Sequence, residues 1–253
     1  MTKKHWQLQS PISAVIFDCD GTLSTLEGID ELARLNKVSE PVELLTAEAM
    51  TSTGINPGLY EKRLELVVPS AKQVEELGKQ YFAHQVPDVT AVIRLLKRLN
   101  KSVYLVSAGL YPAVKIFGEL LNIPSSNIFA VDIQFDTQGN YIDFERTSPL
   151  VNRNGKREIV TQLKTHHDHV LYVGDGMNDL VVYDLVTRFV GYGGVFYREN
   201  IAAQCQYYIK QLSMAALLPL SLTQREHEQL LPDEQALYQF GLSAIQSNPE
   251  IEN

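Results

Sequence analysis

Short apolar segments alternate with amphipathic helical ones along most of the chain, and the first apolar segment runs directly into Asp18-Cys19-Asp20-Gly21-Thr22. Ile12 to Phe17 (ISAVIF) is β-branched and apolar throughout, the pattern of a strand buried on both faces. From Asp88 the order is helix (DVTAVIRLLKRLN), strand (SVYLV), helix (YPAVKIFGELLN), helix (GKREIVTQLK), strand (HVLYV), helix (MNDLVVYDLV) and short strand (RFVGY). A β-ribbon is expected around Val131 to Phe144, because TQGN separates two runs of alternating character. Strand–helix alternation of this kind implies right-handed βαβ units. The expected fold is therefore α/β, with a doubly wound, Rossmann-like parallel sheet covered by helices on both faces.

The stretch from about residue 27 to 85 breaks the alternation. It carries Leu, Glu, Ala and Lys at helical spacing, interrupted at Pro41, Gly54, Pro57, Gly58 and Pro69. Four or so short helices are expected there, and no strand. The expected organisation is an α/β core of residues 1–24 and 88–220, a helical cap of residues 25–87 inserted after the first strand, and a C-terminal extension of residues 221–253. In that extension TQREHEQLLPDEQALYQFGLSAIQ reads as helical with a break at Pro232, and SNPEIEN as a disordered end.

At 253 residues and 45% hydrophobic content the chain can bury a large core. Its net charge of -8 argues against a general nucleic-acid or anionic-membrane binder, either of which wants a basic face. It leaves room for a local cationic pocket. Cys19 and Cys205 imply no disulfide framework. The N-terminus has no apolar signal region and no stretch is long enough to span a bilayer, so a cytoplasmic enzyme is expected.

Open parallel sheets place their sites beyond the carboxyl ends of the strands. Asp18 to Thr22 follow the first strand, Ser107-Ala108-Gly109 follow YLV, and Gly174-Asp175-Gly176-Met177-Asn178-Asp179 follow LYV. Lys156 lies just inside the helix before that last strand. Four carboxylates at one rim need a counter-charge, and a hard divalent cation with oxygen ligands supplies it. Of Asp18 and Asp20, one can attack phosphorus and the other can pass protons. Ser107 and the following amides can hydrogen-bond phosphate oxygens, and Lys156 can neutralise the transferring group.

DCDGT, the strand-end serine, the lysine and GDGMND together resemble, in order and spacing, the four motifs of the haloacid dehalogenase superfamily. LEGIDELA, EAM, KRLELV, YLVSAG, NIPSSNIFA and GYGG extend the resemblance to its phosphoserine phosphatases, over roughly residues 12 to 215. The resemblance implies that Asp18 forms an aspartyl-phosphate and that Asp20 is the general acid/base. It implies Mg²⁺ held by the Asp18 carboxylate, the Asp20 main-chain carbonyl and Asp175, with Asp179 supporting the metal shell and Lys156. Ser107 and Lys156 would bind phosphate. Glu27 would face a substrate amine and Arg63 a substrate carboxylate, while Met50, Gly109, Asn178 and Arg198 fall on positions near the family's pocket. The partner so implied is a small phosphorylated molecule, with phosphoserine first.

Four positions depart from that pattern: Gly21, Ala108, Thr51 and Asn56. They leave the hydrolytic machinery in place and leave open another small phosphorylated amine or amino acid, or a phosphotransfer between such molecules. The rival reading is a non-catalytic binding protein that keeps the fold, and the presence of every catalytic residue type speaks against it. Gly174 and Gly176 lack the third glycine of a dinucleotide loop, and no phosphate-loop sequence of the GxxxxGK[ST] kind occurs. His166, His167 and His169 precede HVLYV, about 15 Å from the carboxylate rim, and read as a helix–strand turn. Cys19 reads as packing, and Tyr207 and Tyr208 as part of a late strand.

Overall fold

Four consecutive buried residues make β1 (Ala14–Phe17) the centre of the sheet. The computed structural model describes residues 6–49 and 55–246. After β1 come α1 (Gly28–Leu35), α2 (Ser39–Ala49), α3 (Pro57–Val67) and α4 (Ala71–Ala83), with no strand among the described residues between α1 and α4. Their starts are written locally. The Asn56 carboxamide accepts the Leu59 N–H at 3.0 Å and Pro57 opens α3, while Ser70 and Gln73 form a reciprocal cap on α4. Asn56, one of the four departures, is thus the N-cap of α3.

The alternation then resumes with α5 (Val89–Arg98), β2 (Ser102–Leu110), α6 (Tyr111–Leu120) and β3 (Ile128–Val131). β4 (Ile133–Phe135) and β5 (Tyr141–Phe144) pair antiparallel as a small ribbon. α7 (Gly155–Leu163), β6 (Val170–Gly174), α8 (Met177–Leu180), β7 (Arg188–Tyr192), α9 (Glu199–Ala202) and β8 (Tyr208–Ile209) complete the sheet region. The six main strands run parallel in the order β3-β2-β1-β6-β7-β8, with helices around them. This is the α/β, Rossmann-like architecture the alternation implies.

Three details differ from the sequence reading. Ile128 to Val131 is a sixth main-sheet strand, unread because two of its four residues are only half-buried at the edge. β2 runs on through Leu110 rather than ending at Val106. The helix expected over MNDLVVYDLV stops at Leu180 and continues as turns. There the Arg157 guanidinium takes the Val181 carbonyl at 2.7 Å and pairs with Asp184 at 2.5 Å, which withdraws that carbonyl from a helical ladder.

The tail forms α10 (Leu218–Ser221), α11 (Gln224–His227) and α12 (Pro232–Gln246), with Pro232 as the first residue of the last helix. It is tied to the sheet by charge. The buried Lys101 ammonium donates to the Ile12 carbonyl at 3.0 Å and pairs with Glu226, and Arg98 pairs with Glu234. SNPEIEN lies outside the described residues. No helix among the described residues is long and apolar enough to cross a membrane.

Candidate active site

Strand register assembles the site. Phe17 pairs with Leu105 on one side and Val173 on the other, so the residues just past it, Ser107 and Asp175 meet at one rim. The chain leaves β1 for β2 on one flank and later returns to β6 on the other, which makes this rim the topological switch point. The Asp18 N–H is held by the Val173 carbonyl at 2.9 Å.

A pocket opens here. Its lining includes Asp18, Asp20, Ser107, Gly109, Asp175 and Asn178 from the sheet side, and Glu27, Tyr60, Arg63 and Tyr81 from the helices between β1 and α5. Lys156 stands behind Asp18, its ammonium 2.8 Å from Asp18 Oδ1 and 2.6 Å from Asp179 Oδ1. Arg198 reaches Asp175 Oδ2 at 3.0 Å and Glu27 Oε1 at 3.8 Å. Ten of the twelve residues singled out from the sequence line this pocket or contact its walls through Lys156 and Arg198. An eleventh, Asp179, sits beneath it, its Oδ2 accepting the Gly176 N–H at 2.9 Å. Met50 lies outside the described residues, as does Thr51.

Asp18, Asp175 and Asp179 are all buried, and one carboxylate oxygen of each lies within 4.8 Å of the others. Burial, and then Asp179, push the Asp18 carboxyl well above the usual carboxylate range despite Lys156. Burial and Asp179 likewise push Asp175 up to about 6. Burial opposes charge on Lys156, but Asp179 and Asp18 outweigh it and raise its pKa. One ammonium and a half-exposed guanidinium thus leave a cluster of carboxylates short of positive charge. An all-oxygen donor set in that state fits a hard divalent cation.

The second aspartate is held differently. Asp20 Oδ1 accepts the Gly28 N–H at 2.6 Å and the Tyr81 hydroxyl at 2.7 Å. Its Oδ2 faces Ser107 Oγ at 3.5 Å. Ser107 Oγ donates that contact and in turn accepts the Gly109 N–H at 2.9 Å. Burial raises the Asp20 pKa against those two hydrogen bonds.

Arg63 is buried, and its Nε has no hydrogen-bond partner among the described residues. Its guanidinium lies 5.8 Å from the Tyr60 ring centroid. A buried guanidinium N–H facing a cavity is a ready anion site. Glu27 is half-buried, and burial, then Asp20 and Asp175, raise its pKa well above normal.

Gly21 has φ +66°, and a Cβ there would stand 2.7 Å from Asp175 Oδ2, so the glycine leaves room for that carboxylate. His169 contributes its backbone carbonyl to Ser13, and His167 pairs with the Tyr104 hydroxyl at 2.8 Å. Cys19 is fully buried and Tyr208 falls in β8. Sequence reasoning missed Tyr81 and Tyr172. Tyr172 donates to Asp179 Oδ1 at 2.7 Å, and strand alternation two residues before Gly174 was the one signal for it. Tyr81 carries no such signal.

A family model described as haloacid dehalogenase-like hydrolase matches residues 12–181. The chain belongs to this family and is one of its phosphatases. Among phosphatases it is similar to phosphoserine phosphatase of Bos taurus, at 33% identity over 198 residues that cover 78% of this chain and 88% of the relative. The Homo sapiens phosphoserine phosphatase is 32% identical over the same spans. In structure it is similar to a phospho-aspartyl intermediate analogue of a phosphoserine phosphatase, with a TM-score of 0.72 at 25% identity over 83% of this chain and 98% of that one. A substrate-bound phosphoserine phosphatase complex gives the same TM-score and coverage at 24% identity.

Proposed function

We propose that this phosphatase is a Mg²⁺-dependent phosphomonoester hydrolase that works through an aspartyl-phosphate on Asp18, with O-phospho-L-serine as its substrate. The observation that carries the reading is the pairing of Lys156 with both Asp18 and Asp179 beneath a pocket that also holds Asp20, Ser107 and Arg63.

In this reading Asp18 attacks phosphorus, and the ester oxygen leaves with a proton from Asp20. Asp20, now ionised, takes a proton from water as that water attacks the same phosphorus. Phosphate departs and the Asp18 carboxylate is regenerated. Asp20 Oδ1 is engaged by two donors, so the transferable proton belongs on Oδ2, the oxygen that faces Ser107. Ser107 and Lys156 grip phosphoryl oxygens and offset the charge that spreads over them. Asp18, Asp175 and the Asp20 main-chain carbonyl would hold Mg²⁺, with Asp179 in support. When bound, the ion neutralises charge on the transferring group.

Phosphoserine carries an ammonium and a carboxylate besides its phosphate. Glu27 answers the first and Arg63 the second, the guanidinium fork suiting a carboxylate. Gly109, Asn178 and Arg198 complete the walls. Residues 25–87 serve as a cap that brings Glu27 and Arg63 over the phosphoryl site and excludes water when closed. Similarity to phosphoserine phosphatases over most of the chain supports this choice of substrate.

The test is phosphate release from a panel of small phosphomonoesters with Mg²⁺. Phosphoserine should rank first by kcat/KM. If it ranks no better than p-nitrophenyl phosphate or phosphoethanolamine, the substrate is wrong although the phosphatase stands.

A further inference from the structure

Tyr81 belongs to α4, 61 residues from the aspartate it touches. Its hydroxyl donates to Asp20 Oδ1 at 2.7 Å, beside the Gly28 N–H at 2.6 Å. The ring is buried and stacks on Phe117 of α6 at 5.6 Å between centroids. Residue 28 has no room for a side chain: a Cβ there would stand 1.9 Å from the Tyr81 oxygen. So the main chain at Gly28 and the phenol of Tyr81 converge on one carboxylate oxygen, and each fits only because the other is as it is.

A carboxylate can turn about its Cβ–Cγ bond, and an acid that turns away from its leaving group is useless. Two donors fixed on Oδ1, one from backbone and one from a clamped ring, remove that freedom. They leave Oδ2 towards Ser107 Oγ, and Gly109 bounds the same side, with its would-be Cβ 3.3 Å from that oxygen. We infer that Tyr81 is a positioning residue for proton transfer: it holds Asp20 so that Oδ2 meets the ester oxygen of the substrate. This rests on Asp20 being the general acid.

Leaving-group dependence separates the possibilities. A serine alkoxide needs a proton to depart, whereas p-nitrophenolate leaves well without one. The measurement is kcat/KM, which reports steps up to phosphoenzyme formation, for phosphoserine and for p-nitrophenyl phosphate. It is made on the full chain with Mg²⁺ for the parent, Asp20→Asn, Tyr81→Phe and Gly28→Ala. Asp20→Asn should lose far more on phosphoserine than on the aryl ester, in line with the ~10²–10⁴-fold worth of general acid catalysis. Tyr81→Phe should show the same bias at about tenfold, part of that worth. Gly28→Ala keeps the phenol but displaces it from Asp20, and should reproduce the bias. Equal losses on both esters for Tyr81→Phe and Gly28→Ala, with the bias intact in Asp20→Asn, would overturn the inference and leave the acid assignment standing. No bias in Asp20→Asn would remove the acid assignment itself. If Tyr81→Phe fails to fold, Gly28→Ala decides.

Discussion

The ammonium of Lys156 lies 2.8 Å from Oδ1 of Asp18, with both side chains buried. That contact joins the end of the first strand to a helix about 140 residues further on, and a second contact continues it to Asp179. Replacing Lys156 with Met should cut kcat by roughly 10²–10³-fold, the scale of losing one fixed charge-stabilising donor. Steady-state assays with saturating Mg²⁺ check this. A loss confined to KM would show that Lys156 binds substrate without favouring transfer.

Arg63 lines the pocket, and its buried Nε has no hydrogen-bond partner among the described residues. Arg63→Ala should weaken kcat/KM for phosphoserine by about 1.5–3 kcal/mol, the range for a charged hydrogen bond. A substrate without a carboxylate should feel little of this. Comparison of phosphoserine with phosphoethanolamine reads the difference, and equal losses on both would remove the carboxylate role.

Metal and pH should be linked through Asp175. Burial, then Asp179, push its carboxyl up to about 6, against ~3.9 for an unfolded aspartate. The folded chain therefore holds this proton more tightly than the unfolded one. The associated stability is full below about pH 4 and is lost as pH rises through about 6. Asp18 and Asp20 shift in the same direction. In chelator, Tm should fall from about pH 5 to about pH 7.5, and Asp175→Asn should flatten part of that fall. Mg²⁺ should raise Tm more at the higher pH, because carboxylate ligands must be ionised to bind it. A Mg²⁺ effect on Tm that is the same at both pH values would count against these ligands.

The tail should matter for stability rather than chemistry. Lys101→Met strands the Glu226 carboxylate, which keeps the Thr223 N–H and hydroxyl as donors once the ammonium is gone. Breaking a buried pair in this way costs about 3–5 kcal/mol. Urea unfolding should show that loss, while kcat of the folded enzyme stays near the parent value. A fall in kcat with unchanged stability would mean that the tail acts on the site.

The parts of this architecture legible in sequence are those carried by short-range pattern. The run AVIF, the break into DCDGT and the LYVGDG turn each announce a strand end, and parallel pairing then forces their loops to one rim. What escaped was set by tertiary contact. The edge strand at Ile128 has a weak burial pattern. The helix after Met177 is cut short by Arg157, which no local rule reveals. Tyr81 looks like any core aromatic of an amphipathic helix until α4 is laid against α6 and its hydroxyl lands on Asp20.

The central claim is that Asp18 carries the phosphoryl group in turnover. Acid quench during hydrolysis of ³²P-labelled phosphoserine tests it most directly, with the parent and Asp18→Asn compared side by side. The parent should hold a hydroxylamine-labile label, and the variant should hold none and release no phosphate. An Asp18→Asn protein that hydrolyses phosphoserine at the parent's rate would contradict it.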